Sequence, residues 1–428
     1  MRKLIAAVVV TWVPLLLSGC GGGGGGSGVI GGGGGGQGQQ IANPGPNVAT
    51  LVVDAGPAGT SDVDMPFVTV TICVPGTSTC QTIDHVEVDT QSSGLRILGQ
   101  ALTISLPQEP DSASGQPLAE CMQFADGNSW GPVATADVQI ASETASSLPV
   151  QVIGDPSIAG ESSYPAIPAH CSSNVTMEDS ISQFGANGIL GVSPFVHDCG
   201  SACAASAQYD LYYTCPSSST CSSSLAAVSE QVLNPVAEFQ TDNNGVIVEL
   251  PSVPTAGAVS AAGSLVFGIG TEGNNGLAGA TVLTADSSGS VSTQYNGATL
   301  AAVFDTGSNA YYFADSSIPT CSSTSSAPNF YCPNSTLSLS ATNSGVDPTT
   351  GQPNGVTSTV SFLVGNADSL LTANPTFYAY DDLGAPATAI PNAPPELDFG
   401  LPFFFGRNVY VAINGANTPG GLGPYYAY

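Results

Sequence analysis

Two acidic side chains sit in near-copies of one short pattern. Leu300 to Phe313 reads LAAVFDTGSNAYYF and Asp84 to Leu98 reads DHVEVDTQSSGLRIL. In each, a run of strand formers ends in Asp-Thr, followed by Gly or Gln, a Ser and a second apolar run. A lone Asp-Thr-Gly-Ser is good turn chemistry, because Asp and Ser side chains bond nearby amides and Gly tolerates positive φ. The pair, Asp89 and Asp305, offers more. Two carboxyls held together can share one proton: the ionised member takes a proton from water while the protonated member polarises a carbonyl. Like charges that close cannot both ionise easily, so one pKa rises and activity is expected in acid.

Each acid needs an element to brace it. After Asp89 the chain reaches NGILGVSPF (Asn187 to Phe195), and after Asp305 it reaches ELDFGLPFFF (Glu396 to Phe405). Each runs through apolar residues into a Gly: Gly191 lies 102 residues past Asp89, and Gly400 lies 95 past Asp305. The two halves follow one plan. From about Val48 the chain is a series of short β-prone runs, among them Phe67 to Val74, Val133 to Ala141, Val246 to Leu250, Thr376 to Tyr380 and Asn408 to Ile413, separated by Gly, Ser, Pro, Asn and Asp clusters. The best helix candidate is Leu225 to Gln240, and Ser- and Pro-rich inserts such as Pro216 to Ser224 and Cys321 to Thr357 read as surface loops. A chain of this length splits more readily than it forms one core, which puts Asp89 in a lobe over 48–240 and Asp305 in a lobe over 241–428.

That plan resembles the pepsin-like aspartic proteases, in which two similar β lobes each give one Asp to a shared cleft and an apolar-apolar-Gly segment braces each Asp loop. The resemblance spans roughly residues 60 to 414. CMQFADGNSWGPVATADVQIA (Cys121 to Ala141) stands where that family has its flap hairpin, which would carry Phe124, Asp126, Gly127 and Trp130. LVFGIG (Leu265 to Gly270) is similar to its FGG strand, and FFFGRNVYVAIN (Phe403 to Asn414) to its closing strand. The resemblance implies a mainly β, bilobal pepsin-like acid-protease fold with two pseudo-twofold-related β lobes. It implies an aspartic endopeptidase in which Asp89 and Asp305 activate water, with no cofactor and an extended polypeptide lying between the lobes. Thr90 and Thr306 would lock the two loops across the axis, and Ser92 and Ser308 would bond the carboxylates from outside. Gly307 would complete the Asp305 loop, Gly191 and Gly400 would brace, and Arg407 would be a structural ion-pair partner. Within that superfamily the chain resembles a bacterial family of envelope lipoproteins with the same paired motifs.

Several positions depart from the family pattern. Gln91 replaces a Gly beside the dyad, which is expected to strain the loop or obstruct the water. Phe124 replaces the flap Tyr and removes a hydroxyl, Trp130 reads either as a substitute flap aromatic or as a hairpin core residue, and Leu401-Pro402 follows Gly400 where the family has Asp. These departures support a rival reading, a non-catalytic binding module of the cell envelope on the same fold, gripping a protein or glycan.

Address and solution behaviour follow from the ends and the composition. MRKLIAAVVVTWVPLLLSGC (1–20) has two cations, an apolar run and a lipobox-like Leu17-Ser18-Gly19-Cys20. A lipid anchor on Cys20 is expected, with the protein in the bacterial envelope at the outer membrane or cell surface. The Gly-rich stretch 21–47 would be a flexible tether, with an end-to-end distance of about 30 Å over some thirty residues. Setting Cys20 aside leaves ten cysteines, read as up to five disulfides in an exported chain. Cys73 with Cys80 and Cys321 with Cys332 are the natural local pairs, and the four cysteines from Cys199 to Cys221 stay open. No His pair or double CxxC supports a zinc site, and the three histidines form no triad. The only cations are Arg2, Lys3, Arg96 and Arg407, against a formal net charge of −28. So anionic a chain is a poor partner for nucleic acid. A monomer is expected.

Overall fold

The structure, a computed structural model, describes residues 42, 44–154, 167–173, 175–217, 220–387 and 396–428. The signal segment 1–20 with Cys20 lies outside the described residues, as does most of the Gly-rich stretch 21–47.

Among the described residues the first half forms ten strands. They are β1 (Val48–Val53), β2 (Pro66–Cys73), β3 (Cys80–Asp89), β4 (Ser93–Leu98), β5 (Leu118–Gln123), β6 (Asn128–Ile140), β7 (Glu143–Ile153), β8 (Gly188–Val192), β9 (Tyr212–Ser217) and β10 (Thr220–Ser223). Period-two alternation is clear in β1, where Ala49, Leu51 and Val53 are buried and Thr50, between the first two, is exposed. β4 and β8 are buried throughout, as strands covered on both faces must be.

The second half begins with β11 (Gly245–Leu250) and β12 (Ala261–Phe267). It continues with β13 (Val282–Thr284), β14 (Val291–Tyr295), β15 (Ala298–Phe304), β16 (Tyr311–Phe313), β17 (Leu337–Val346), β18 (Pro353–Val364), β19 (Gly384–Ala385) and β20 (Glu396–Phe399). Then come β21 (Arg407–Ala412), a small ribbon of β22 (Asn417–Thr418) with β23 (Gly421–Leu422), and β24 (Tyr425–Ala427). Seven of these make a separate sheet in the order β18-β17-β14-β15-β20-β16-β19. The others continue the sheet of the first half, through β1-β12-β11-β21-β24-β13. The junction between halves is thus itself a sheet, and β1 pairs with β12 along its whole length.

A repeated crossing positions the two acids. β8 lies between β3 and β4, parallel to the first and antiparallel to the second, so that Gly191 pairs with both Asp89 and Gly94. β20 lies between β15 and β16 in the same senses, so that Phe399 pairs with both Phe304 and Tyr311. Each Asp therefore ends a strand whose parallel neighbour arrives from about a hundred residues downstream. This mainly β, two-lobed, internally repeated plan is the one the paired motifs imply. Beneath Asp305 the repeat is packed with rings: Phe304 stacks on Phe399 with centroids 5.1 Å apart and also touches Phe403, Tyr426 and Tyr428.

Three local expectations are corrected, and one open pairing is resolved. Cys321 to Thr357 is not loop throughout but contains β17 and the start of β18. Leu225 to Gln240 is not a helix but two short 3₁₀ turns, Val228–Glu230 and Pro235–Glu238. Pro235 supplies no amide donor, and the side chain of Asn234 caps the second turn by accepting from Val236 N, 3.1 Å away. Thr376 to Tyr380 forms no strand; only Ala379 makes a bridge, to Ala258. The four cysteines left open pair locally, Cys199 with Cys203 and Cys215 with Cys221, while Cys121 reaches Cys171. Cys73–Cys80 and Cys321–Cys332 form as expected.

Candidate active site

The two Asp-Thr loops meet and hold each other by their threonines. Thr90 Oγ1 donates to Phe304 O at 2.7 Å and Thr306 Oγ1 donates to Val88 O at 2.6 Å, each reaching the residue just before the other loop's acid. Thr306 N donates in turn to Thr90 Oγ1 at 3.0 Å. All of this is buried, so bonds that would be weak in water are held at full strength and fix the relative position of the loops. The consequence is that the carboxyl groups of Asp89 and Asp305, remote in sequence, lie close enough to act on each other.

Each carboxyl also takes an amide from its own loop: Gln91 N donates to Asp89 Oδ1 at 2.7 Å and Gly307 N to Asp305 Oδ1 at 2.8 Å. Both acids are fully buried. Burial first, then the neighbouring carboxylates of Asp89 and Asp398, holds the Asp305 carboxyl well above the usual range. Ser308 Oγ donates to Asp305 Oδ2 at 2.8 Å. Ser92 does not do the same. Its hydroxyl lies against Gly191 and, like Asp89 Oδ2, has no hydrogen-bond partner among the described residues. The serine that bonds on this side is Ser93, whose hydroxyl is 2.6 Å from that of Ser193 and donates to Phe195 O at 2.8 Å.

Gly191 and Gly400 are braces for a steric reason. A Cβ on Gly191 would stand 2.6 Å from Ser92 O, and one on Gly400 would stand 2.5 Å from Ser308 O and 2.1 Å from Ala310 O. Each loop carbonyl is instead tied to the brace by an amide: Ser193 N donates to Ser92 O at 3.0 Å and Leu401 N to Ser308 O at 2.7 Å.

Gln91 neither strains its loop nor reaches over the dyad. It is absent from the non-glycine residues with positive φ, so the position makes no demand for Gly. Its Nε2 donates to Tyr426 Oη at 2.6 Å and to Phe304 O at 3.3 Å, the carbonyl that Thr90 also uses. Tyr426 Oη donates onward to Gly289 O at 2.9 Å. The side chain expected to disturb the site is a further tie between the halves.

The hairpin expected as a flap is present, as β5 and β6 closed through Asp126 and Gly127 by Phe124 N donating to Gly127 O at 2.8 Å. Its tip is fastened on the outside. Asn128 N donates to Thr176 O and Glu178 N to Asn128 O, and the Cys121–Cys171 disulfide ties β5 to the same neighbouring segment. Phe124 is buried edge-on against Phe184, 5.9 Å between centroids. Trp130 is fully buried against Tyr213 and the cluster around Cys121, Cys171 and Cys215, so it belongs to the hairpin core and not to the groove. One residue past Ser308, Asn309 lines a cavity of about 250 Å³ between Asp62 and Val63 of the first half and Phe330, Leu371 and Tyr378 of the second.

Two features of the site escaped the sequence reading. Asp398 sits in the ELDFG brace with its Oδ2 2.6 Å from Ser308 Oγ, a third carboxyl beside the dyad. The signal was an acid set between the two apolar residues, Leu397 and Phe399, of the brace strand. Arg96 is fully buried and holds Glu120 of β5 at 2.6 Å and Asp198 at 3.1 Å, while Tyr212 Oη donates to Asp198 Oδ2 at 2.7 Å. Arg407, expected in an ion pair, instead donates to Phe403 O and Ser361 O and lies over the Phe403 ring, 4.3 Å from its centroid. Among the described residues no group of three or more His, Cys, Asp and Glu is arranged to hold a metal ion.

A family model described as "Protein of unknown function (DUF3443)" matches residues 43–428. No curated protein matches the chain. Among solved structures it is similar to the aspartic proteinase from Irpex lacteus, with a TM-score of 0.48 and 15% sequence identity, over 89% of this chain and 96% of that one.

Proposed function

We propose, for a chain that belongs to the DUF3443 family, that it is an aspartic endopeptidase hydrolysing extended polypeptide with water activated by Asp89 and Asp305. The observation that carries this is the reciprocal threonine lock, which holds two loops from different halves so that their buried carboxyls come together. Asp305, which retains its proton, polarises the scissile carbonyl, and Asp89 takes a proton from the attacking water. The polypeptide runs along the interlobe groove, with side chains entering spaces such as the cavity beside Asn309. A lipid on Cys20 tethers the enzyme to the bacterial envelope, at the outer membrane or cell surface, as a monomer.

The test is digestion of a denatured polypeptide by the purified protein from pH 3 to 7, with and without a statine-type inhibitor, beside Asp305→Asn. Inhibitor-sensitive cleavage strongest in acid and lost in the variant is expected. Equal digestion by wild type and Asp305→Asn would end the protease reading. For the anchor, Cys20→Ser is expected to release the protein from membranes, and unchanged membrane association would remove the lipid assignment.

One observation favours a second reading, a non-catalytic binding module. Both dyad acids are fully buried and the hairpin tip is fastened, so a substrate reaches them only after the groove opens. Tight, saturable binding of a protein or glycan ligand without cleavage at any pH would favour that module.

A further inference from the structure

Three carboxyls, not two, meet around Ser308. Its hydroxyl lies 2.8 Å from Asp305 Oδ2 and 2.6 Å from Asp398 Oδ2, and all three residues are buried. A hydroxyl has one proton to give. If it goes to Asp305, the contact with Asp398 is attractive only when Asp398 brings a proton of its own; if it goes to Asp398, Asp305 must bring one. The closeness of Asp305 to Asp89 makes the same demand, since two carboxylates there would repel. Two contacts that each need a carboxyl proton require two protons on three carboxyls. Asp305 and Asp89 account for one. The second sits on Asp305 Oδ2 or on Asp398, and the surroundings of Asp398 decide between them.

We propose that Asp398 is a third working member of this site: a carboxylic acid that keeps its proton while the dyad holds one, and donates through Ser308 to the outer oxygen of Asp305. As a positioning residue it acts on the reaction only through Ser308, and its kinetic role rests on the endopeptidase reading above. Asp398 Oδ1 supports the assignment, being buried with no partner among the described residues. An orphaned oxygen is tolerable on a neutral acid and costly on an anion. The titratable groups around Asp398 are Glu396 on its own strand, Asp89 and Asp305 across the loops, and Tyr426 from β24. Burial is the largest influence on it; the Ser308 hydrogen bond pulls the other way, and Glu396 and Asp89 act with burial, so that the acid is held well above the usual carboxylate range. In its working state the cluster carries one negative charge spread over three acids.

The test combines infrared spectroscopy with kinetics. In the full protein near pH 6, the carbonyl stretch of a protonated carboxylic acid is expected in the wild-type-minus-Asp398→Asn difference spectrum. Ser308→Ala, which leaves Asp398 in place, is expected to shift that band and serves if Asp398→Asn fails to fold. On a peptide substrate, Asp398→Asn is expected to stay within about threefold of wild type in acid, because its amide can still donate to Ser308. Its alkaline limb should move to higher pH, because it cannot ionise. Asp398→Leu is expected to lose about tenfold or more in kcat with KM unchanged. Absence of the band from pH 4 to 8 would overturn the proton assignment, and an Asp398→Leu profile matching wild type would overturn the positioning role. If the wild type cleaves nothing but the band is present, the endopeptidase reading falls and the two-proton cluster stands.

Discussion

At the scale of single residues, Gln91 departs from expectation, while Gly191 and Gly400 occupy positions that a Cβ would crowd. Gln91→Gly would remove bonds to Tyr426 Oη and Phe304 O and loosen the backbone at the same point. Neutral hydrogen bonds contribute about 0.5–1.5 kcal/mol each and Gly costs a further 0.5–1 kcal/mol or so in chain entropy, so a loss of about 2 kcal/mol is expected in urea denaturation. It should also lower activity, since it slackens the Thr90 contact; a more active Gln91→Gly would show that the side chain obstructs the site after all. Gly191→Ala places a methyl 2.6 Å from Ser92 O, where backbone must shift, and is expected to cost about 3 kcal/mol and abolish cleavage. At this scale Asp89, Thr90, Asp305, Thr306 and Ser308 were legible because turn chemistry and strand propensity act locally. Ser92 was not. Its hydroxyl looks like that of Ser308 in one dimension, and only the close approach to Gly191 turns it away.

At the scale of elements, the hairpin of β5 and β6 is bound by more than its own ladder. Cys121 and Cys171 close a span of 50 residues, which in the chain-entropy view is worth about 4 kcal/mol. Replacing both with Ser is expected to lower stability by about that amount and to raise hydrogen exchange first in residues 118–140, while exchange in β15 and β20 stays slow. Uniform acceleration across both halves would mean that the bridge does not act locally. The strands were legible because alternation and β-branched runs mark them, as in β2 and β21. The segment Leu225 to Gln240 was not, since its apolar spacing suits a helix while Asn234 and Pro235 impose a cap and a missing donor. That Cys121 seeks Cys171 was hidden because the pairing is made by the fold and not by proximity in sequence.

For the whole molecule, burial of acids in a chain with few bases sets the response to pH. Asp382 and Glu249 are raised to about 7 and Asp179 to about 6, in each case chiefly by burial. The unfolded chain binds these protons with ordinary pKa values near 4. A raised acid favours the folded state while protonated, so its contribution is complete below about pH 4 and is lost as pH rises through 6 and 7. Asp347 and Asp368 run the other way. Amides of Thr350 and Thr349 for the first, and the hydroxyl and amide of Ser326 for the second, lower them, so their contribution is lost below the ordinary range. The melting temperature is therefore expected to peak near pH 4 and fall steadily toward pH 7.5, by calorimetry in constant ionic strength. A maximum at neutral pH would contradict this account. The two-lobe plan was legible from the repeated motif; the shared sheet that joins the lobes was not, because no local pattern in β1 names a partner so far downstream.

That partner has a consequence for how the chain is made. β1 finds its neighbour in β12, more than two hundred residues downstream. A nascent polypeptide emerging from its N-terminus must hold an open strand edge until the second half has been synthesised. Neither half, expressed by itself, would close its own seam, and co-expressed halves should rescue one another by complementation. The same open edge would let two copies trade their first strands, making an exchanged dimer the characteristic misassembly.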